Sequence, residues 1–171
     1  MALVTAPGDA LSDSYATVSF ADAYFTAVGK AQWTGNVELK EQALRRAAIW
    51  LDGTYARSWP GTRTFPRTQL MDWPRVDAYD LDNEIIDPIT VPVAVMRAQC
   101  EAALRELVAP GSLSPDVVPG QLKVLTGLKG ITWTPQRASA GPSDMVPTLT
   151  AVRQALSRLI ASGGSIKIVR A

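Results

Sequence analysis

The stretch NVELKEQALRRAAIWLDGTY, residues 36–55, decides the fold class of this chain. Its apolar residues recur at helical spacing, which places them on one face of an α-helix and leaves most charged residues on the other. The stripe consists of Leu44, Ala47, Ala48, Leu51 and Tyr55. Asn36 is a typical N-cap, and Glu38 suits the positive end of the helix dipole. The stretch therefore predicts a helix that packs into a core.

Three further segments predict helices of the same amphipathic kind. A first helix follows Ser19, whose spacing to Asp22 is that of an acidic capping box, and Gly29 marks its end. Pro92 opens a third helix at a first-turn position, ahead of an apolar stripe with helical spacing. A fourth helix is predicted roughly over residues 148–161. These segments indicate a protein in which helices supply most of the core.

We therefore expect a mainly α protein: a small helical bundle of about four helices, with a β-hairpin and an extended, strand-like C-terminal arm. The hairpin is expected within residues 122–133, where two short apolar runs flank glycines. The predicted parts are a flexible N-terminal arm (1–14), a helical core (15–111), a loop with the β-hairpin (112–147), a C-terminal helix (148–162) and a docking tail (163–171).

The composition argues against catalysis. The chain has no histidine, which removes the commonest general base and the commonest metal ligand. Its one cysteine, Cys100, falls on the apolar stripe of the third helix, where an unreactive thiol is expected. We expect no enzyme, no catalytic residue, no metal and no cofactor. Because neither a secretory leader nor a bilayer-spanning run is visible, we expect a protein made in the cytoplasm, without membrane contact.

An acidic run follows the middle of the chain and consists of Asp77, Asp80, Asp82, Glu84 and Asp87. Acidic side chains at alternate positions offer oxygen ligands, as a calcium loop does. However, Ile85 stands where an EF-hand loop needs glycine, and Val91 stands where it needs the closing glutamate. The incomplete pattern favours a solvated or interface-facing acidic loop over a metal site.

The most distinctive tripeptide is Trp73-Pro74-Arg75, within an irregular segment that also contains Trp59. One interpretation is a packed corner, in which proline fixes the turn and tryptophan fills a gap. The other is an anchor at a subunit interface, where tryptophan and arginine are enriched. Trp59, Trp73 and Arg75 are therefore candidates for such an interface, and both interpretations stay open.

Charge is distributed unevenly along the chain. Residues 121–171 hold seven basic residues and one acidic residue, whereas residues 1–120 hold ten basic and fifteen acidic residues. Lys123 and Lys129, in the predicted hairpin, could face nucleic acid, since Trp133 lies nearby. The basic half could also be an ordinary solvated face, or a partner-docking arm. A terminal hinge, Gly163-Gly164, favours the arm.

In the docking tail that follows this hinge, Ile166, Ile168 and Arg170 alternate with Lys167 and Val169, as in an added edge strand. It consists of Ser165, Ile166, Lys167, Ile168, Val169 and Arg170. A strand that cannot bury itself alone gains its hydrogen bonds by pairing with another chain. The tail therefore predicts an assembly component.

Four motifs, in their order, resemble those of a known family. They are YATVSFADAYF (15–25), ALRRA (43–47), LMDWPR (70–75) and VPVAV (91–95). Over roughly residues 15–170 the chain is similar to the head-tail connector (adaptor, or head-completion) proteins of tailed bacteriophages. These proteins also carry the label of DnaT-like single-stranded-DNA-binding proteins.

The resemblance implies a structural virion protein of the neck, which forms a twelve-fold ring beneath the portal and lines the DNA exit channel. Its docking tail would bind the portal protein, and Trp59, Trp73 and Arg75 would lie at the ring interface. The implied partners are the portal protein, further copies of the chain, a downstream tail or neck protein and, transiently, genomic DNA. The alternative is a DnaT-like module that binds single-stranded DNA.

Overall fold

A computed structural model describes residues 2–115 and 149–160 of the protein. In these ranges the regular elements are four helices and one pair of short strands. They follow one another as α1 (Val18–Ala27), α2 (Val37–Tyr55), β1 (Thr62–Arg63), β2 (Arg75–Val76), α3 (Val93–Val108) and α4 (Thr150–Ala155). The predicted fold class, a small and mainly helical bundle with a β-hairpin, is confirmed.

The observed strands lie in the segment between α2 and α3, which the prolines had marked as irregular. Strand β1 pairs antiparallel with β2, and Thr62 lies opposite Val76. The hairpin predicted within residues 122–133 and the docking tail predicted at residues 163–171 lie outside the described residues. The two-stranded element of the described chain is therefore a different one from the hairpin that the sequence predicts.

The centre of the core is the packing of α2 against α3. Both helices bury alanines completely, namely Ala43, Ala47, Ala48, Ala98, Ala102 and Ala103. Small side chains allow two helix axes to approach closely. Larger buried residues, among them Leu44 and Leu51, complete the stripe that the sequence predicts for α2. Helices α1 and α4 then pack against this pair, mainly along α3 in the case of α4.

The helix ends agree with the sequence at most positions. Asn36 caps α2, because its side chain accepts a hydrogen bond from a backbone N–H of the first turn at 3.0 Å. Gly29 follows the end of α1 with a φ of +69°, a conformation that favours glycine. The N-cap of α1 is Thr17, however, and not Ser19 as predicted. Thr17 has extended backbone geometry, and its hydroxyl accepts the N–H three residues on. Pro92 caps α3, one position before the predicted one.

One buried side chain ties the N-terminal segment to the helices. Gln99 of α3 is completely buried, and its Oε1 accepts hydrogen bonds from the backbone N–H groups of Tyr15 and Ala16. Its Nε2 donates to the Ser14 hydroxyl and to the Leu44 carbonyl. The end of the predicted flexible arm is therefore packed against the body. In the described ranges, no helix is long and apolar enough to cross a membrane.

Candidate functional site

The Trp-Pro-Arg corner is buried within the chain. Trp59, Trp73 and Arg75 are at most 7% exposed, and the two indole rings meet edge to face at 5.8 Å. The Arg75 guanidinium donates to the backbone carbonyls of Pro60, Gly61 and Asp72, at 2.6 to 3.1 Å. The structure therefore favours the packed-corner interpretation for these three ring-interface candidates. Arg75 fixes the path of the connection by satisfying its carbonyls.

Two carboxyl groups and a phenol meet beside this corner. Tyr15 donates its hydroxyl proton to Asp52, and the backbone N–H of Asp72 reaches both Tyr15 Oη and Asp52 Oδ2. The pKa of Asp52 is raised to about 7: burial is the largest cause and the nearby Asp72 carboxyl adds to it, whereas the Tyr15 hydrogen bond opposes the shift. Burial also raises the pKa of Asp72 and that of Tyr15. Asp52 therefore titrates near neutral pH, within a cluster that joins the N-terminal segment, α2 and the corner.

The acidic loop folds into a tight hairpin of its own. Tyr79 and Ile85 form an isolated β-bridge, and Asp80 Oδ1 accepts the backbone N–H groups of Asp82 and Glu84 at 2.9 Å. The Asp80 carboxylate is thus engaged by the backbone. In the described ranges, no group of three or more acidic or thiol side chains is arranged to hold a metal ion.

This acidic hairpin, residues 77–87, exposes apolar side chains between its carboxylates. Tyr79, Leu81 and Ile85 are 46%, 56% and 66% exposed. The hairpin is anchored to the turn after α4, since the Leu81 N–H donates to the Arg158 carbonyl and the Arg158 guanidinium pairs with Asp82 at 2.9 Å. An apolar surface with an acidic rim is suited to a protein partner and repels nucleic acid.

Two adjoining grooves open where α1 ends and α4 begins. The smaller, of about 410 Å³, lies between the end of α1 and the start of α2. The larger, of about 710 Å³, lies between the turn after α1, the second half of α3 and the start of α4. Gly29 and Lys30 line both, so the grooves meet there. We call them together the double groove.

Three basic side chains lie along the double groove: Lys40 in the smaller part, Lys30 at the junction and Arg105 in the larger part. The wall of the larger part is mostly apolar and includes Leu104, Val108, Leu149 and Val152. Arg105 is exposed and makes no ion pair with the described residues. Basic groups above an apolar wall can hold a chain that is anionic on one side and apolar on the other.

Lys40 is held within the smaller part. Its Nζ donates to Asp22 Oδ1 at 2.8 Å and lies 5.6 Å from the centre of the Trp33 ring. The Trp33 indole N–H donates to the same carboxylate oxygen at 2.7 Å. Partial burial raises the pKa of Asp22, but the hydrogen bonds from Lys40 and Trp33 outweigh it and lower that pKa below its usual value. Asp22, predicted to belong to a capping box, instead orders the wall of the groove.

Lys30 is paired at the junction. Its Nζ donates to Glu101 Oε2 at 2.5 Å, and Tyr24 donates its hydroxyl proton to Glu101 Oε1 at 2.8 Å. The side chain of Glu101 is 8% exposed, whereas that of Lys30 is 35% exposed. Burial, and after it the hydrogen bond to Glu101, raise the pKa of Tyr24 to about 12, so the phenol stays a donor.

The sequence did not single out the three basic residues of the double groove. The basic residues that it did propose, Lys123 and Lys129, lie outside the described residues, as do the hinge and the docking tail at residues 163–170. Lys30, Lys40 and Arg105 are scattered through the chain and come together only because α1 and α2 turn back at Gly29 against α3. Cys100 is buried as predicted, and burial raises the pKa of its thiol to about 12.

Comparison with known proteins identifies a family for the whole chain. A family model described as "Putative DnaT-like ssDNA binding protein" matches residues 1–171, so the chain belongs to this family. A search of curated proteins and a search of solved structures each returned no match.

Proposed function

We propose, from the membership of this chain in the DnaT-like family, that the protein binds single-stranded DNA along the double groove. The observation that carries the proposal is the placement of Lys40, Lys30 and Arg105 along one continuous concave surface. Single strands bind to basic grooves that follow the phosphates and offer apolar contacts to the bases. The protein binds DNA and performs no chemistry on it.

The charges of the site predict moderate and salt-sensitive binding. Two of the three basic groups have carboxylate partners, and the whole chain has a formal net charge of only +1. Each phosphate that a lysine or arginine neutralises releases counterions, so affinity falls as salt rises. Arg105, which has no such partner in the described ranges, supplies the most available charge.

Replacement of Arg105 by alanine tests this proposal most directly. We expect the affinity for a fluorescein-labelled oligo-dT of about 20 nucleotides to fall about three- to tenfold, with a salt slope shallower by about one ion. Fluorescence anisotropy between 50 and 200 mM salt measures both quantities.

Arg57→Ala is the matched control, because Arg57 is also exposed but does not line the double groove. It is expected to bind like the wild-type chain. Equal losses of affinity in both variants would show that DNA binding depends only on the overall charge of the protein. A wild-type chain that does not bind the oligonucleotide at 50 mM salt would refute the proposal.

A second candidate is the head-to-tail adaptor of a tailed phage, with a twelve-fold ring, a location in the virion neck and a docking tail that binds the portal. The acidic hairpin favours it, since Leu81 and Ile85 expose apolar surface among carboxylates, where DNA would be repelled. The phage role itself rests on the resemblance of motifs.

Deletion of residues 163–171 separates the two candidates. For an adaptor, the deletion abolishes co-assembly with the portal protein and leaves oligonucleotide binding unchanged. For a DNA-binding module whose basic C-terminal half takes part, it weakens oligonucleotide binding, and Lys123→Ala with Lys129→Ala weakens it further. If the chain still co-assembles with the portal protein after the deletion, the docking role of the tail is refuted.

A further inference from the structure

We propose that the Lys30–Glu101 ion pair is a latch at the junction of the double groove, which holds the affinity for single-stranded DNA below what the basic residues could otherwise reach. The latch presupposes the DNA-binding function proposed above. It adds a regulatory role for Glu101, a residue that binds no DNA itself.

The latch lies where it can control the whole site. Lys30 lines both parts of the double groove, so a strand that follows the groove must pass its side chain. In the free protein its ammonium donates to Glu101. A DNA phosphate at the junction therefore competes with a carboxylate that is already in place.

Glu101 is the fixed half of the pair. Its side chain is almost fully buried, and Tyr24 holds its second oxygen. Lys30 is the movable half, because a third of its side chain is exposed and its four-carbon stem rotates freely. When a phosphate binds, we expect Lys30 to turn from Glu101 into the groove, while Glu101 stays bonded to Tyr24.

The other two basic groups cannot act in this way. Lys40 is only 14% exposed and lies between the Asp22 carboxylate and the Trp33 ring, which restricts its movement. Arg105 has no ion pair to leave in the described ranges. Lys30 is therefore the one of the three whose availability changes between a paired and an open state.

The cost of opening the pair lowers the apparent affinity, because only the open fraction of the protein offers all three basic groups. Glu101→Gln removes the negative charge but keeps an acceptor for Tyr24 and nearly the same shape. This variant should leave Lys30 open.

The test is a double-mutant cycle on the full chain, measured by anisotropy with labelled oligo-dT. We expect Glu101→Gln to bind about two- to fivefold more tightly than wild type, as an ion pair of this exposure allows. Lys30→Ala should bind more weakly, and the double variant should bind like Lys30→Ala. Glu84→Gln is the charge-matched control, because it removes a carboxylate from the tip of the acidic hairpin, and it should bind like wild type.

The outcomes separate the latch from the function on which it depends. If Glu101→Gln binds like wild type while Lys30→Ala is weaker, Lys30 contacts DNA and the latch is refuted. Tighter binding by Glu101→Gln that persists when Lys30 is alanine also refutes it. If no chain in the cycle binds, the DNA-binding function itself fails.

A second measurement covers the case in which Glu101→Gln unfolds. The ¹⁵N signal of the Lys30 ammonium in the wild-type chain should show slow proton exchange when it is paired. That exchange should change when oligo-dT is added. An unchanged signal at saturating oligonucleotide would overturn the latch.

Discussion

The α2–α3 pair and the connection between these helices differ in the balance of apolar and polar contacts. The helix pair buries six alanines and a few larger apolar residues, so close packing supplies most of its contacts. The connection, residues 56–92, adds to its packed Trp59–Trp73 corner a set of polar groups: the Arg75 guanidinium on three carbonyls, and the cluster of Tyr15, Asp52 and Asp72.

Apolar packing and buried polar groups respond differently to the loss of a contact. Packed apolar surface tolerates the loss of single contacts in proportion to the volume removed. A buried polar group that loses its partner incurs the full cost of desolvation. The connection should therefore depend on a few residues more strongly than the helix pair does.

Arg75→Ala should have the largest effect. The substitution leaves three carbonyls without their donor in a partly buried corner, and we expect the free energy of unfolding to fall by about 3–4 kcal/mol. Urea denaturation measures the change. Arg67→Ala, at an exposed arginine of the same connection, should stay within about 0.5 kcal/mol. Similar small changes in both variants would mean that the carbonyl contacts do not hold the connection.

Gln99→Leu tests how strongly the helix pair itself depends on a buried polar group. Gln99 is the buried polar residue that ties α3 to Tyr15 and Ala16, and leucine cannot accept their N–H groups. We expect a loss of about 3 kcal/mol in thermal or urea unfolding. Gln42→Leu, at an exposed position of α2, is the matched control and should be nearly neutral. A neutral Gln99→Leu would show that packing alone holds this part of the molecule.

The pH dependence of stability tests the carboxyl cluster. The pKa of Asp52 is raised in the folded chain to about 7, so its contribution is fully present below about pH 4 and is lost as pH rises through 7. Between pH 5 and pH 8 we expect the free energy of unfolding to fall by about 2–3 kcal/mol. Asp52→Asn should flatten this profile. A wild-type stability that rises over this interval would contradict the predicted direction.

Asn36→Ala should have the smallest of these effects. It removes the hydrogen bond to the first turn of α2, and such caps contribute about 1 kcal/mol. Asn36→Asp keeps an acceptor and should retain most of the stability. A loss much above that of other caps would show that α2 depends on its end as strongly as the connection depends on Arg75.

The helical part of the fold could be predicted from the sequence because its causes are local. The stripe that begins at Leu44, the cap at Asn36 and the glycine at position 29 each act within a few residues. The placement of Asp52 could not be predicted, since it lies off the apolar stripe of α2 and is partly buried only because Tyr15 and residue 72 return to it. The sequence marks Arg75 by its Trp-Pro neighbours, but two of the three carbonyls that it binds, those of Pro60 and Gly61, come from a distant turn.

The double groove was missed for the same physical reason. Lys30, Lys40 and Arg105 have no common spacing, and the concave surface exists only after α3 packs beside the turn at Gly29. One local clue was available: a tryptophan, Trp33, lies between two lysines in sequence. The excess of basic residues at positions 121–171 instead favoured Lys123, Lys129 and the docking tail, which lie outside the described residues, so their roles stay predictions.

The position of Trp33 makes its intrinsic fluorescence a probe of the smaller part of the double groove. The ring packs against Phe25 on one side, with Lys40 near it, beside the smaller part of the double groove. A phosphate that binds beside Lys40 changes the electric field at the indole, and with it the wavelength and yield of its emission. Trp50, Trp59 and Trp73 are buried and do not line that groove, so their emission should change little. Trp133 lies outside the described residues, so the part of the emission change that a Trp33→Phe variant loses on binding is the part that reports on the groove.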